Sequence, residues 1–217
     1  ADPRARFILA MYKGFGGKLT DENGQPWLDV NVLEQVLNVL ASARSSSVLP
    51  LAARQYTSPL ETWTELKANR SASAMAPMAD FLRESDPESM AAVALPTEEG
   101  QGIGLAHTWS WAMTPGDPSR EALMVELLTW LSDPVFAGSL THALGYLPTS
   151  QEALATWPDD VNAALASSLV TITQPEPEKS LRDAITPALL AAIEAVLGAA
   201  EEAALAAQEA TNLVNNP

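Results

Sequence analysis

The sequence predicts a helix-rich α/β fold, and three observations predict it. Apolar side chains recur at helical spacing over most of the chain. Asp117-Pro118 and Asp133-Pro134 each supply a cap and a first helical residue to a leucine-striped segment. Only Ala72–Pro77, Met90–Pro96 and Leu105–Met113 have the brevity and flanks of strands. Helices interleaved with a few short strands give a small mixed sheet flanked by helices.

The composition sets the outer limits. The 217 residues are 47% apolar and 18% charged, which suits a packed core and excludes collagen-like, mucin-like and knottin-like chains. With 27 acidic against 12 basic residues the net charge is −15, a field that repels phosphate backbones and anionic lipid, so no nucleic-acid partner is expected. The absence of cysteine excludes disulfides and thiolate metal sites but leaves the compartment open. The longest apolar stretch, Ile185–Leu205, carries Glu194, Glu201 and Glu202 and is a poor membrane span. Ala1–Arg6 has no apolar core followed by a cleavage site, so no signal peptide is expected there.

In order along the chain, Phe7, Ile8, Met11 and Tyr12 mark a short helix that Gly14 and Gly16-Gly17 stop. Asn23-Gly24, between two half-apolar runs, predicts a two-stranded flap. Asn31 and Glu34 read as a capping box for a helix whose face is Leu33, Val36, Leu37 and Leu40, ending near Ser45 to Ser47. Thr57 or Ser58 starts the next helix, with Pro59 in its first turn and its end at Asn69. Phe81-Leu82 sits on a helical turn between the first two strands, and 97–104 is expected to be a mobile loop. Leu105–Met113 reads as a longer strand in which Trp109 and Trp111 share a face, because side chains alternate. Helices follow near 118–131 and 134–144, the second closed by Gly145, then near 151–156, 159–168, 186–197 and 200–213.

Chemistry is sparse. His107 and His142 lie far apart without carboxylates at ligand spacing, so no metal is expected, and no cofactor either. His142 reads as an ordinary helix-face residue. There is no Gly-x-Ser-x-Gly elbow. The acidic pairs Glu98-Glu99, Asp159-Asp160, Glu176 with Glu178, and Glu201-Glu202 read as solvated faces, not as opposed carboxyls across a cleft. Gly100, Gly102 and Gly104 precede a strand and open no helix, so they form no phosphate loop. Trp109 and Trp111 are the strongest signal. Flat indoles with one N–H donor each suit sugar faces or organic cations, and the plainer reading is that they are core.

Several segments, taken together and in order, resemble the second half of family 1 extracellular solute-binding proteins of ABC importers, whose members include sugar-binding receptors. They are Tyr12–Asp29 with its Gly16-Gly17-Lys18-Leu19-Thr20-Asp21-Glu22-Asn23-Gly24 run; Ser73-Ala74-Met75; Val93-Ala94-Leu95-Pro96-Thr97 with Gly100; Thr108–Met113; Gly145-Tyr146-Leu147-Pro148-Thr149; and a closing helix over Gly198–Leu213. The resemblance implies a type II periplasmic-binding-protein-like fold, with 1–108 and 149–217 in the second lobe. Residues 109–148 are then a hinge strand and helices of a first lobe that is mostly encoded elsewhere. It implies a binder, not an enzyme, that captures a small-molecule solute, a carbohydrate above all, and docks on an ABC permease. It also implies an extracytoplasmic place, held by a lipid anchor outside these residues.

For the site, the resemblance implies Trp109, Ser110 and Trp111 as ligand-facing. Met78 and Phe81 lie in a stretch that carries a ligand-facing aromatic in relatives, and Tyr12 borders the cleft from the hinge side. His107-Thr108 stands where the family usually has Gly-Gly. The alternative is a helical interaction or scaffold module whose tryptophans are core. Helices 118–131 and 134–144, parted from their lobe, must bury their apolar stripes elsewhere, for which a dimer of this chain is the expectation.

Overall fold

The computed structural model describes residues 5–86, 88–97, 99–114, 116–158 and 162–216. It is helix-rich with one small sheet, as an α/β reading requires. The helices are α1 (Arg6–Gly14), α2 (Val30–Ser45), α3 (Pro59–Lys67), α4 (Met78–Glu84), α5 (Pro118–Leu131), α6 (Pro134–Leu144), α7 (Gln151–Leu154), α8 (Ala163–Ile172), α9 (Lys179–Leu197) and α10 (Ala203–Asn215). A 3₁₀ turn covers Leu51–Gln55. Strands β1 (Leu95–Pro96), β2 (Gly102–Ala106) and β3 (Thr173–Pro175) form a sheet of order β1-β2-β3. β1 and β2 are antiparallel, with Leu95 opposite Ile103.

The chain forms two compact units, Ala1–Ala76 with Leu95–Leu105 and Glu176–Pro217, and Pro77–Ala94 with Ala106–Pro175. Residues 77–94 and 149–175 thus group with 106–148.

The larger unit is built on α2, α9 and α10. α10 presents Ala203, Ala206, Ala207, Ala210 and Val214 at helical spacing, and these small side chains let it lie close against α2 and α9. α2 answers with Leu33, Val36, Leu37 and Leu40, and α9 with Ile185, Leu189, Ala192 and Val196. Polar ties fix the ends. Arg44 donates to the Val196 carbonyl at 2.8 Å. Asn215 grips Leu28 twice, accepting from its N–H at 2.9 Å and donating to its carbonyl at 3.0 Å. Glu176, its side chain 7% exposed, lies 2.5 Å from Arg6 and 3.5 Å from Arg182.

Local starts follow side-chain chemistry, with two corrections. α2 is capped by Asp29, whose Oδ1 accepts from Asn31 N at 2.8 Å and Val32 N at 3.2 Å, so the expected Asn31–Glu34 box gives way to a carboxylate two residues earlier. α9 begins at Lys179 and runs through Pro187, where a start near 186 is expected. An internal proline costs about 3 kcal/mol, and the apolar stripe from Ile185 to Val196, continued by Leu181 against the same core, offsets it. α3 carries the Ser58–Glu61 capping box with Pro59 in its first turn.

Strand expectations fare worse. Asn23-Gly24 forms a tight turn stabilised by the Asp21 side chain, but the flap is a single bridge, Thr20 to Pro26. Ala72–Pro77 forms no strand, and of Met90–Pro96 only the last two residues do. Of the loop expected over 97–104, residues 102–104 belong instead to β2, and before it Gly100 N donates to Thr97 O at 3.0 Å. β2 stops at Ala106, so the strand expected over Leu105–Met113 ends before either tryptophan. β propensity alone sustains no strand without a neighbour to bond.

In the smaller unit α5 and α6 start at Asp117 and Asp133, each carboxylate accepting from the N–H groups of its first turn. Gly145, with φ 69°, caps α6 in the left-handed region. α6 lies so close to α7 that a Cβ on Gly138 would overlap the Thr156 hydroxyl and the Ala153 carbonyl. Trp157 donates from Nε1 to the Gly138 carbonyl at 3.1 Å, and His142 meets its ring edge-on at 5.1 Å. Leu154, Trp157 and Ala166 form the small core there. α8 begins at Ala163, and the Asp159-Asp160 pair and Glu98 lie outside the described residues.

Candidate functional site

The site residues named from the sequence separate into exposed and buried groups. Beyond Ala106 the chain runs without ladder partners through 107–114, and there Trp109 is 81% exposed and Trp111 62%, with Ser110 exposed between them. The His107 and Trp109 rings lie 6.0 Å apart, centre to centre, with their planes nearly perpendicular. Neither indole is core. An exposed indole in water retains the hydrophobic surface and the N–H donor that stacking on a sugar or an organic cation uses.

Tyr12 belongs to the interior. Its ring is fully buried, and Gly17 is required beside it because any Cβ there would overlap the ring. Its hydroxyl accepts from Asp29 N at 2.6 Å and donates to Lys18 O at 3.0 Å, so it ties the turn after α1 to the start of α2. Burial, with the neighbouring Asp29 charge, pushes its pKa up to about 12 against the opposing hydrogen bond from Asp29. Tyr12 is a structural tie and presents no face to a ligand. Phe81, 7% exposed, likewise turns inward from α4, while Met78 at the start of that helix is half-buried. The exposed part of the set is therefore Trp109-Ser110-Trp111.

The sequence reading missed a shallow groove of about 610 Å³ in the smaller unit, lined by Met113, Val125, Leu128, Thr129, Ser132 and Asp133. Its only sequence signal is the density of apolar residues around the α5–α6 corner. A second hollow, about 270 Å³, lies beside the start of α2 and the end of α10, where Asp29, Asn31, Gln208 and Asn212 line it.

Among the described residues five carboxylates are held below their ordinary pKa range. Asp21 is held below its ordinary range first by the Gln25 N–H, Glu61 by the N–H groups of Thr57 and Ser58, Glu65 by Arg70, Asp117 by Ser119 and Asp183 by Lys179. Each is engaged in a turn, a cap or an ion pair. None of these five has the raised pKa that a general acid needs. Among the described residues no group of three or more His, Asp or Glu side chains is placed to hold a metal ion. Among them, too, no single helix is long and apolar enough to cross a membrane; Ser119–Leu131 and Pro134–Leu144 reach that test only as a pair bent by 61°.

The arrangement offers an exposed aromatic surface at Trp109 and Trp111 with His107 beside it. In comparisons with family models and with curated proteins, the chain matches none.

Proposed function

We propose that the chain is a ligand-binding part of the substrate-binding component of an ABC importer, acting outside the cytoplasm. It captures a carbohydrate against Trp109 and Trp111, and a hinge-closing receptor delivers the solute to a membrane permease. The observation that carries this reading is the exposure of both indoles, 81% and 62%, two residues apart on an unpaired segment. Large aromatics are ordinarily kept inside or used at interfaces, and a pair left in water two residues apart suits ring-face recognition. The Ser110 hydroxyl between them supplies a donor and acceptor for a sugar hydroxyl. The order of motifs from Tyr12 to the closing helix supports the importer setting.

Isothermal titration of the chain against a panel of mono- and oligosaccharides tests this. The reading expects heat with at least one sugar, and a loss of about 1–3 kcal/mol of affinity in Trp109→Ala and Trp111→Ala, the range of one ring stacked on an indole. Binding of an organic amine with no sugar response removes the carbohydrate claim, and silence with every solute removes the receptor claim.

A second reading, an interaction module without a small ligand, is favoured by the apolar surface that α5 and α6 leave uncovered. In that case neither tryptophan substitution alters any small-molecule binding.

A further inference from the structure

Of the eight asparagines in the sequence, only Asn23 is followed by glycine. The side-chain carbonyl carbon of an asparagine is open to attack by the backbone nitrogen of the next residue, which closes a five-membered ring. A side chain on that next residue crowds the approach, and a hydrogen bond that holds its N–H in place opposes it. The structure sorts the asparagines on both counts. Asn31 and Asn38 lie in α2 and Asn212 in α10, where the following N–H is held by the cap or the helix ladder. Asn215 is followed by Asn216, whose N–H donates to the Asn212 carbonyl, and Asn216 by Pro217, which has no N–H. Asn69 is followed by Arg70, whose N–H donates to the Glu65 carbonyl at 3.0 Å, and Asn162 by the branched Cα of Ala163.

Asn23 differs from all of these. It is exposed, Gly24 adopts φ 77°, and a Cβ placed on Gly24 would meet nothing within 4 Å, so the space the ring needs is open. The bonds that engage the reacting groups are the long ones: Gly24 N donates to Asp21 O at 3.2 Å, and Asn23 Nδ2 to Asp21 Oδ2 at 3.3 Å. The short ones, from Asn23 N and Gln25 N to Asp21 Oδ1 at 2.8 Å, hold the turn through other atoms.

We propose that Asn23-Gly24 is a self-modifying site, at which the folded chain deamidates to aspartate and isoaspartate. The Gly24 nitrogen gives up its proton to hydroxide and bonds to Asn23 Cγ. The Cγ–Nδ2 bond breaks, its electron pair leaves with Nδ2, which takes a proton from water and departs as ammonia, and a succinimide remains. Water opens that ring. Breaking the new bond to Cγ gives aspartate, and breaking the bond to the main-chain carbonyl carbon gives isoaspartate. One water is consumed and one ammonia released, and nothing is oxidised or reduced. Either product sets a carboxylate where Asn23 had donated to Asp21, in a turn that already contains Glu22. Isoaspartate also lengthens the main chain by one carbon, which takes Gln25 N out of register with Asp21 Oδ1. The change stays local, because Trp27 N still donates to Leu19 O behind the turn. This inference does not depend on the solute-binding reading.

Timed incubation of the folded chain in mildly alkaline buffer, followed by peptide mass mapping, tests it. The tryptic peptide Leu19–Arg44 carries Asn23, Asn31 and Asn38, and fragmentation places the exchange of nitrogen for oxygen among them. The gain is expected at Asn23 before any other asparagine and faster as pH rises, since the attacking nitrogen must lose its proton. Isoaspartate accompanies aspartate, because only the ring yields both. Asn23→Gln, which would have to close a six-membered ring, loses the gain while its far-UV circular dichroism matches the parent chain. Conversion of another asparagine while Asn23 stays intact overturns the proposal, as does aspartate formed without isoaspartate. Conversion of Asn23 in the urea-unfolded chain but not in the folded one also overturns it, because the turn then shields the site.

Discussion

α2 and α5 are near-equals in sequence design and opposites in outcome. Both open on an aspartate cap, run about four turns and carry several leucines. α2 buries Leu33, Val36, Leu37 and Leu40 on one stripe against α9 and α10; α5 spreads its apolar residues around its circumference, and none of those whose burial is described is buried. The difference extends to the units that hold them. The larger unit has a continuous core from Ala5 to Val214, whereas the buried cluster of the smaller one is Leu154, Trp157 and Ala166. A helix's burial is thus decided less by how apolar it is than by whether its apolar residues point one way.

The largest test of that contrast is truncation in the well-packed stripe. Leu189→Ala on α9, fully buried, is expected to cost about 2–5 kcal/mol in chemical denaturation, while Leu123→Ala on α5 stays within about 0.5 kcal/mol of the monomer's stability. Equal costs would break the comparison.

Gly138→Ala comes next. It drives a methyl into the Thr156 hydroxyl and the Ala153 backbone and is expected to cost about 1–3 kcal/mol, melting the smaller unit first.

Tyr12→Phe probes the tie in the larger unit. It leaves the Asp29 N–H without its acceptor, for a loss of about 1–3 kcal/mol at neutral pH. The parent chain adds a pH signature. Its tyrosine pKa is raised from the ordinary 10.0 to about 12, so above pH 10 the unfolded chain gives up this proton while the folded one retains it. Stability is full below pH 10 and declines as the pH rises towards 12. The Phe variant lacks that share of the decline. A smaller effect, about 1 kcal/mol, is expected for Asp29→Ala, which removes the α2 cap.

Features fixed within four or five residues were legible in the sequence. Asp117-Pro118, Asp133-Pro134, Ser58-Pro59-x-Glu61 and Gly145 all sit where cap chemistry places them, because their partners are their own first or last turns. Features that need a distant partner were not. Leu105–Met113 has strand composition throughout, yet only its first two residues pair; Pro187 reads as a helix start until the buried stripe on both sides of it is known. The candidate site falls with the latter. The spacing of Trp109 and Trp111 suggests a shared strand face, which does not form because no neighbour pairs with the chain beyond Ala106, and the burial of Tyr12 and Phe81 depends on Gly17, Asp29 and the packing of α4, which no local pattern encodes.

The proposed role of Trp109 and Trp111 as a ligand surface is open to a site-resolved measurement. In a titration with sugars followed by NMR, the indole N–H signals of Trp109 and Trp111 are predicted to shift together and saturably, while those of the buried Trp63 and Trp157 stay fixed. Unmoved signals from both exposed indoles at saturating sugar, or shifts confined to the other tryptophans, would contradict the account.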